Sequence, residues 1–159
     1  MLRFLKSLFA PKPAALKNFY ADDPAWNAGK KYRTLISQIV GMLEGCESGR
    51  RKVCKGLLLI GAVDVVSQCE SLDDNSFIIL WHALAHRAGL LAEEASAVAA
   101  FHQAHESSSA AFAIIVKGGE ATKRFLSGSQ SALLGLPLAI NQHAEDSNTP
   151  STFSTLDRR

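Results

Sequence analysis

Apolar residues recur along most of this 159-residue chain at intervals of three and four, which is the spacing of one face of an α-helix. The clearest run follows Asp23 and Pro24, which suit an N-cap and a first helical position. Its apolar positions are Tyr32, Leu35, Ile36, Ile39, Val40 and Leu43. This pattern predicts an amphipathic helix that ends before Gly45.

The next segment, from about Gly49 to Glu70, is apolar on almost every side. A helix without a polar face belongs in the middle of a bundle. A strand over residues 57–60 is the alternative, because Gly56 and Gly61 each weaken a helix by about 1 kcal/mol. The length of the segment favours the helix, in which the two glycines would let a neighbouring backbone approach closely.

A helical hairpin is predicted after this segment. Asp73 and Asp74 are good caps for its first helix, and Gly89 is a natural stop. Glu93 lies in the first turn of the second helix, where a carboxylate favours the helix dipole, and that helix runs to about Glu106. Because the link is short, we expect the two helices to be antiparallel.

Two shorter helices are predicted after the hairpin, over residues 110–117 and 120–127. Gly118 and Gly119 lie between them and suit a helix stop. A strand over residues 111–116 is the alternative for the first of these two segments.

The composition changes beyond Pro137. Polar residues dominate from residue 141 onwards, with Phe153 and Leu156 as the only large apolar side chains. Such a tail is predicted to be disordered, and its removal is expected to cost almost nothing. The complete pattern predicts an all-α fold, an irregular bundle of about five to seven helices, divided into an amphipathic N-terminal segment (1–13), a helical domain (14–137) and a disordered tail (138–159).

The composition, with 47% hydrophobic and 20% charged residues, is that of one soluble globular domain. The longest apolar run, residues 56–63, is much shorter than the ~20 residues of a membrane-spanning helix. The three cysteines have no Cys-x-x-Cys spacing and are interpreted as reduced thiols. We therefore expect a cytoplasmic protein.

Charge is distributed unevenly along the chain. Residues 1–55 hold eleven Lys or Arg and four acids, a net charge of +7, whereas residues 56–159 have a net charge of −5. Such a dipole orients a protein toward an anionic surface, although solvated helix faces that happen to differ in sign are the simpler explanation.

A basic cluster opens the central helix, and its members are Arg50, Arg51, Lys52 and Lys55. Cations near a helix N-terminus oppose the helix dipole and need an anionic neighbour. That neighbour is either a bound anion or the carboxylates of Glu44 and Glu47 in the preceding turn.

The first nine residues combine large apolar side chains with two cations at helical spacing. We predict that they bind an anionic membrane surface or a groove of a partner protein. Packing of this segment on the bundle is the alternative. The predicted binding residues are Leu2, Arg3, Phe4, Leu5, Lys6, Leu8 and Phe9.

Histidines form the one group that could carry chemistry. His82 and His86 are spaced i, i+4, while His102 and His105 are spaced i, i+3 on the next helix. Each spacing puts two imidazoles on one helical face, where they can share a divalent transition metal. Bundle metal sites usually include carboxylates, which this pattern does not specify, so structural histidines are the alternative.

No sequence signature of nucleophilic catalysis or of a phosphate-binding loop is present, so no catalytic residue and no cofactor are predicted. The favoured function is a non-enzymatic protein-binding module, of the regulator, adaptor, chaperone or immunity type, at the inner face of a membrane. A metal- or ligand-binding helical enzyme that uses the histidines is the first alternative. Nucleic-acid binding through the basic N-terminal half is the second, disfavoured because aromatic residues are not interleaved with the basic cluster.

Overall fold

The computed structural model describes residues 23–104 and 109–156 and confirms the all-α fold. This part of the chain contains seven α-helices: α1 (Pro24–Lys31), α2 (Arg33–Met42), α3 (Gly49–Glu70), α4 (Asp74–Arg87), α5 (Ala92–Gln103), α6 (Ala110–Leu126) and α7 (Leu136–Glu145). Two short 3-10 helices, Gln130–Gly135 and Phe153–Thr155, flank α7 on the chain. None of the helices in these two ranges is both long enough and apolar enough to cross a bilayer.

The bundle is organised around α3, which has almost no exposed face. From Val53 to Ser67 every residue except Asp64 is buried. α3 makes its most extensive contact with α6 and also contacts α1, α4, α5 and α7. The prediction of a central helix is confirmed, and residues 57–60 are not a strand.

The backbones of α3 and α6 touch where the two helices cross. A Cβ atom added to Gly61 would overlap with the carbonyl oxygen of Ile115. One added to Gly118 would overlap with the carbonyl oxygen of Leu58. The internal glycine at 61 therefore admits a neighbouring backbone, as the sequence indicated.

α6 is one helix of 17 residues, and the prediction of two short helices with a stop at Gly118 and Gly119 is wrong. The strand alternative for residues 111–116 is excluded by the same helix. Each glycine weakens a helix by about 1 kcal/mol, but here both are buried against α3. The burial of neighbours such as Ile114 and Ile115 offsets that cost.

The hairpin of α4 and α5 forms as predicted. Asp73 caps α4 by accepting a hydrogen bond from the Ser76 amide at 2.8 Å, and Gly89 follows the helix with φ +84°. Trp81 is fully buried, and its indole Nε1 donates to the carbonyl oxygen of Ala95 at 2.9 Å. This bond fixes the position of α4 relative to α5.

α1 and α2 meet at Tyr32, which divides the single helix that the sequence predicted. The N-cap prediction is confirmed, because Asp23 accepts a hydrogen bond from the Trp26 amide at 3.1 Å. The Tyr32 hydroxyl donates to Glu70 Oε1 at 2.8 Å, and Lys31 also binds this carboxylate. The helix junction is thereby attached to the end of α3.

Helical structure extends beyond the boundary that composition predicted at residue 137. α7 buries Ile140 completely, and Leu156 is only 7% exposed. The ring of Phe153 lies against Gly56, where an added Cβ would be 3.3 Å from its Cε1 atom. The C-terminal region has few large apolar residues, but these few pack on the bundle.

Candidate functional site

A groove of about 680 Å³ lies between α1, the start of α2, and α4. The α4 residues that line it fall on one face of the helix over two turns. Its apolar floor consists of Ala25, Ile36, Ile79, Leu80, Ala83 and Leu84. Leu80 and Leu84 belong also to the buried core, so the floor continues the hydrophobic core outward to the surface.

Trp26 stands at the edge of this groove. Its side chain is 48% exposed, and the Lys30 ammonium lies 6.0 Å from the ring centroid. A large aromatic side chain that stays in water beside an apolar floor is typical of a docking surface. By contrast, Trp81 of α4 is completely buried.

The rim of the groove is mainly basic. Lys30 and Arg33 come from α1 and α2, while His86 and Arg87 come from the end of α4. Arg87 donates a hydrogen bond to the Ser37 hydroxyl at 2.8 Å, which holds its guanidinium against α2. The acidic residue among those lining the groove is Asp23, whose carboxylate already caps α1.

The predicted basic cluster at the start of α3 does not form one exposed patch. Lys55 is buried, and its Nζ lies 2.8 Å from Glu47 Oε1. For Lys55, the anionic neighbour is therefore a carboxylate of the preceding turn and not a bound anion. Lys52 pairs with Glu94 of α5 at 2.8 Å. Arg51 is exposed, whereas Arg50 is partly buried.

The three described histidines of the predicted metal site occupy different environments. His82 is partly buried, and His86 is exposed at the rim of the groove. His102 stacks on the ring of Phe77 with 5.5 Å between centroids, and its Nε2 lies 3.9 Å from Asp64 Oδ1. These three side chains therefore differ in burial and in the groups that they contact.

Two predicted sites extend beyond the described residues. His105, the fourth predicted metal ligand, lies outside them, as do all the predicted N-terminal binding residues. Within residues 23–104 and 109–156, no three or more His, Cys, Asp or Glu side chains are grouped so that they could hold a metal ion. The metal site and the N-terminal binding segment stay predictions.

Stability should fall as the pH is lowered from about 7.5 to 5.5. Burial lowers the pKa of both His82 and His143 below the ordinary value of 6.5, and Lys117 lowers the pKa of His143 further. The unfolded chain therefore binds more protons than the folded one below pH 6.5, and unfolding is favoured there. Urea unfolding at the two pH values should show this loss.

The control for the pH effect is a variant with His82→Gln and His143→Gln. Its stability should change less than that of the wild type over the same pH interval. An equal pH dependence in the two proteins would rule out these histidines as the cause.

Sequence reasoning did not single out the groove residues. One signal was present, because Trp26, Lys30 and Arg33 recur at i, i+4 and i+7 and place an aromatic ring and two cations on one side. Ile79 gives no comparable signal. An apolar residue that lines a surface groove cannot be distinguished in the sequence from one in the core.

No family model matches this chain, and neither a curated protein nor a solved structure matches it. The function must therefore be inferred from the surface of the molecule itself. The groove between α1, α2 and α4 combines an exposed aromatic ring, an apolar floor and a basic rim, and it is the candidate binding site.

Proposed function

We propose that this protein is a protein-binding module that takes a helix of a partner protein into the groove between α1, α2 and α4. The exposed Trp26 beside an apolar floor is the observation that carries this proposal. Helix-in-groove recognition places the apolar face of one helix in such a cleft. Regulators, adaptors, chaperones and immunity proteins are the classes of protein-binding module that this proposal covers.

The floor of the groove is part of the packed core, which favours binding. Leu80 and Leu84 contact the groove on one side and the α2–α3 core on the other, near Val63 and Val66. The bond from Trp81 to α5 fixes α4 from behind. A preformed floor loses little conformational entropy when a partner docks.

The groove favours a protein partner over a nucleic acid. Single-stranded nucleic acids are bound by series of aromatic side chains on which successive bases stack. Trp26, at the edge, is the large aromatic side chain among those lining this groove, and the floor is aliphatic. Aliphatic floors fit the apolar face of an amphipathic partner helix.

We further propose a cytoplasmic location in which the N-terminal segment assists binding. The apolar and cationic pattern of residues 1–9 supports contact with the inner face of a membrane or with the same partner. This segment and the groove would then act as two linked sites on one molecule.

Affinity capture from a lysate of the source organism tests the proposal. The groove variant carries Trp26→Ala and Ile79→Glu, and the matched control carries Leu134→Ala and Leu138→Ala. Both control positions are exposed apolar side chains outside the groove lining. We expect a partner that wild type and control both retain and the groove variant loses at least about tenfold, as for hot-spot residues.

A deletion of residues 1–13, assayed in parallel, measures the contribution of the N-terminal segment. Far-UV circular dichroism must show that every variant is folded. Identical proteins captured by the wild type and the folded groove variant would contradict the proposal.

A further inference from the structure

We infer that the helix received by the groove is acidic: it carries Glu or Asp beside an apolar stripe. This inference rests on the proposed function and names the chemistry of the partner. It follows from the unneutralised cations of the rim and from the dimensions of the groove.

The cations of the groove rim are not neutralised by a carboxylate of the described chain, whereas three cations elsewhere are. Lys31, Lys52 and Lys55 each form a salt bridge with a glutamate. In the described ranges, the three cations of the rim have no carboxylate partner; they are Lys30, Arg33 and Arg87. An anionic ligand would supply the missing charge.

The groove has the dimensions of one face of a short helix. The α4 residues that line it run from Ile79 to Arg87, about 12 Å at 1.5 Å per residue. That length accommodates two turns of a partner, with apolar anchors at i, i+3, i+4 and i+7. Carboxylates beside such a stripe would approach Lys30, Arg33 and Arg87 of the rim.

Charge argues against the chain's own N-terminal segment as the occupant. Residues 1–22 contain four Lys or Arg and a single acid, Asp22. The basic rim would repel a segment of this composition. The same rim would attract an acidic helix from another protein.

Selection from a displayed peptide library tests the inference. Each peptide is a helix of about 15 residues with Leu, Phe or Ala at the four anchor positions. Its flanking positions are randomised among Glu, Gln and Lys. The full chain is the immobilised target, and an excess of the soluble Trp26→Ala/Ile79→Glu variant removes peptides that bind elsewhere.

We expect Glu to exceed Lys at the flanking positions by at least about threefold, the discrimination that ~0.6 kcal/mol of charge interaction gives. The matched control is a second selection on an Arg33→Glu/Arg87→Glu variant. There the preference should reverse, with Lys enriched over Glu at the same positions. This reversal would distinguish recognition of charge at the groove from nonspecific binding of the library peptides.

Two other outcomes of the selection would each overturn a different part of the account. Groove-dependent peptides without a preference for Glu would overturn the acidic partner and leave the docking groove intact. Peptides indifferent to Trp26 and Ile79 would overturn both the inference and the proposed function.

Three alternative occupants have their own readouts, and each would overturn the inference. Peptide binding that needs deletion of residues 1–13 would identify the N-terminal segment as the occupant. Self-association that Arg33→Glu/Arg87→Glu abolishes, measured by sedimentation velocity, would identify a second copy. Loss of binding to phosphatidylserine vesicles in that variant would identify a membrane surface.

Discussion

Replacing Gly61 with alanine should lower the free energy of unfolding by at least about 2 kcal/mol, although alanine is the better helix former. The new methyl group would overlap with the carbonyl oxygen of Ile115, a backbone atom that cannot rotate away. The α3–α6 contact must then open, and this contact is the most extensive between any two helices of the described chain. Denaturant unfolding followed by circular dichroism measures the loss.

Gly41→Ala is the matched control for this experiment. Gly41 also lies in a helix, but an added Cβ would meet nothing within 4 Å. We expect unchanged or slightly higher stability, by up to about 1 kcal/mol. If Gly61→Ala unfolds like the Gly41→Ala variant, the two helix backbones do not touch.

Gly118→Ala should behave like Gly61→Ala, because both changes push apart the same pair of helices. Once the first methyl group has separated them, the second finds more room. The double variant should therefore lose less stability than the sum of the two single losses. Additive losses would place the two glycines in independent contacts.

Deleting residues 141–159 should cost about 3 kcal/mol or more, contrary to what the polar composition of this segment suggests. The deletion removes Leu156 from the core and Phe153 from its contact with α3, and it cuts α7 just after the buried Ile140. Urea unfolding of the truncated chain beside the full chain measures the difference.

Leu156→Ala locates this effect at one side chain. A leucine that is 7% exposed typically contributes about 2–5 kcal/mol over alanine. Leu134→Ala is the control, because Leu134 is 67% exposed and its truncation should change stability by no more than about 0.5 kcal/mol. Equal stability of the two variants would mean that the C-terminal region does not pack on the bundle.

Local signals were sufficient to predict much of the fold. Asp23 and Asp73 are predictable as caps because their side chains serve amide groups only three residues away. The central position of α3 is predictable because its sequence leaves no polar face for solvent. In each case the physical cause lies within the segment itself.

The predictions that differ from the structure concern contacts between residues that are distant in sequence. A glycine pair suits a helix stop as well as a close helix crossing. The role of Gly118 is decided by the backbone of Leu58 on another helix. Average composition likewise hides a single residue such as Leu156 that finds a place in the core. The pairing of Lys52 with Glu94 depends on the approach of α3 and α5 and has no local signature.

The groove could be predicted only in part. Its cations and Trp26 are visible in the sequence, but the side of α4 that stays uncovered depends on how α1 and α2 are attached. That attachment is made by Tyr32 and Lys31, which bind Glu70 at the far end of α3. A surface created by such tertiary contacts can be identified only from the structure and not from the sequence.

Site-specific photocrosslinking is the most direct test of the claim that this groove binds a partner protein. A photoreactive phenylalanine derivative replaces Trp26 in the full chain, and a second chain carries it at Leu138, which is 61% exposed outside the groove lining. We predict a defined adduct with one protein from position 26, none from position 138, and loss of the adduct in the Arg33→Glu/Arg87→Glu background. Equal adducts from both positions, or none from position 26, would contradict the claim.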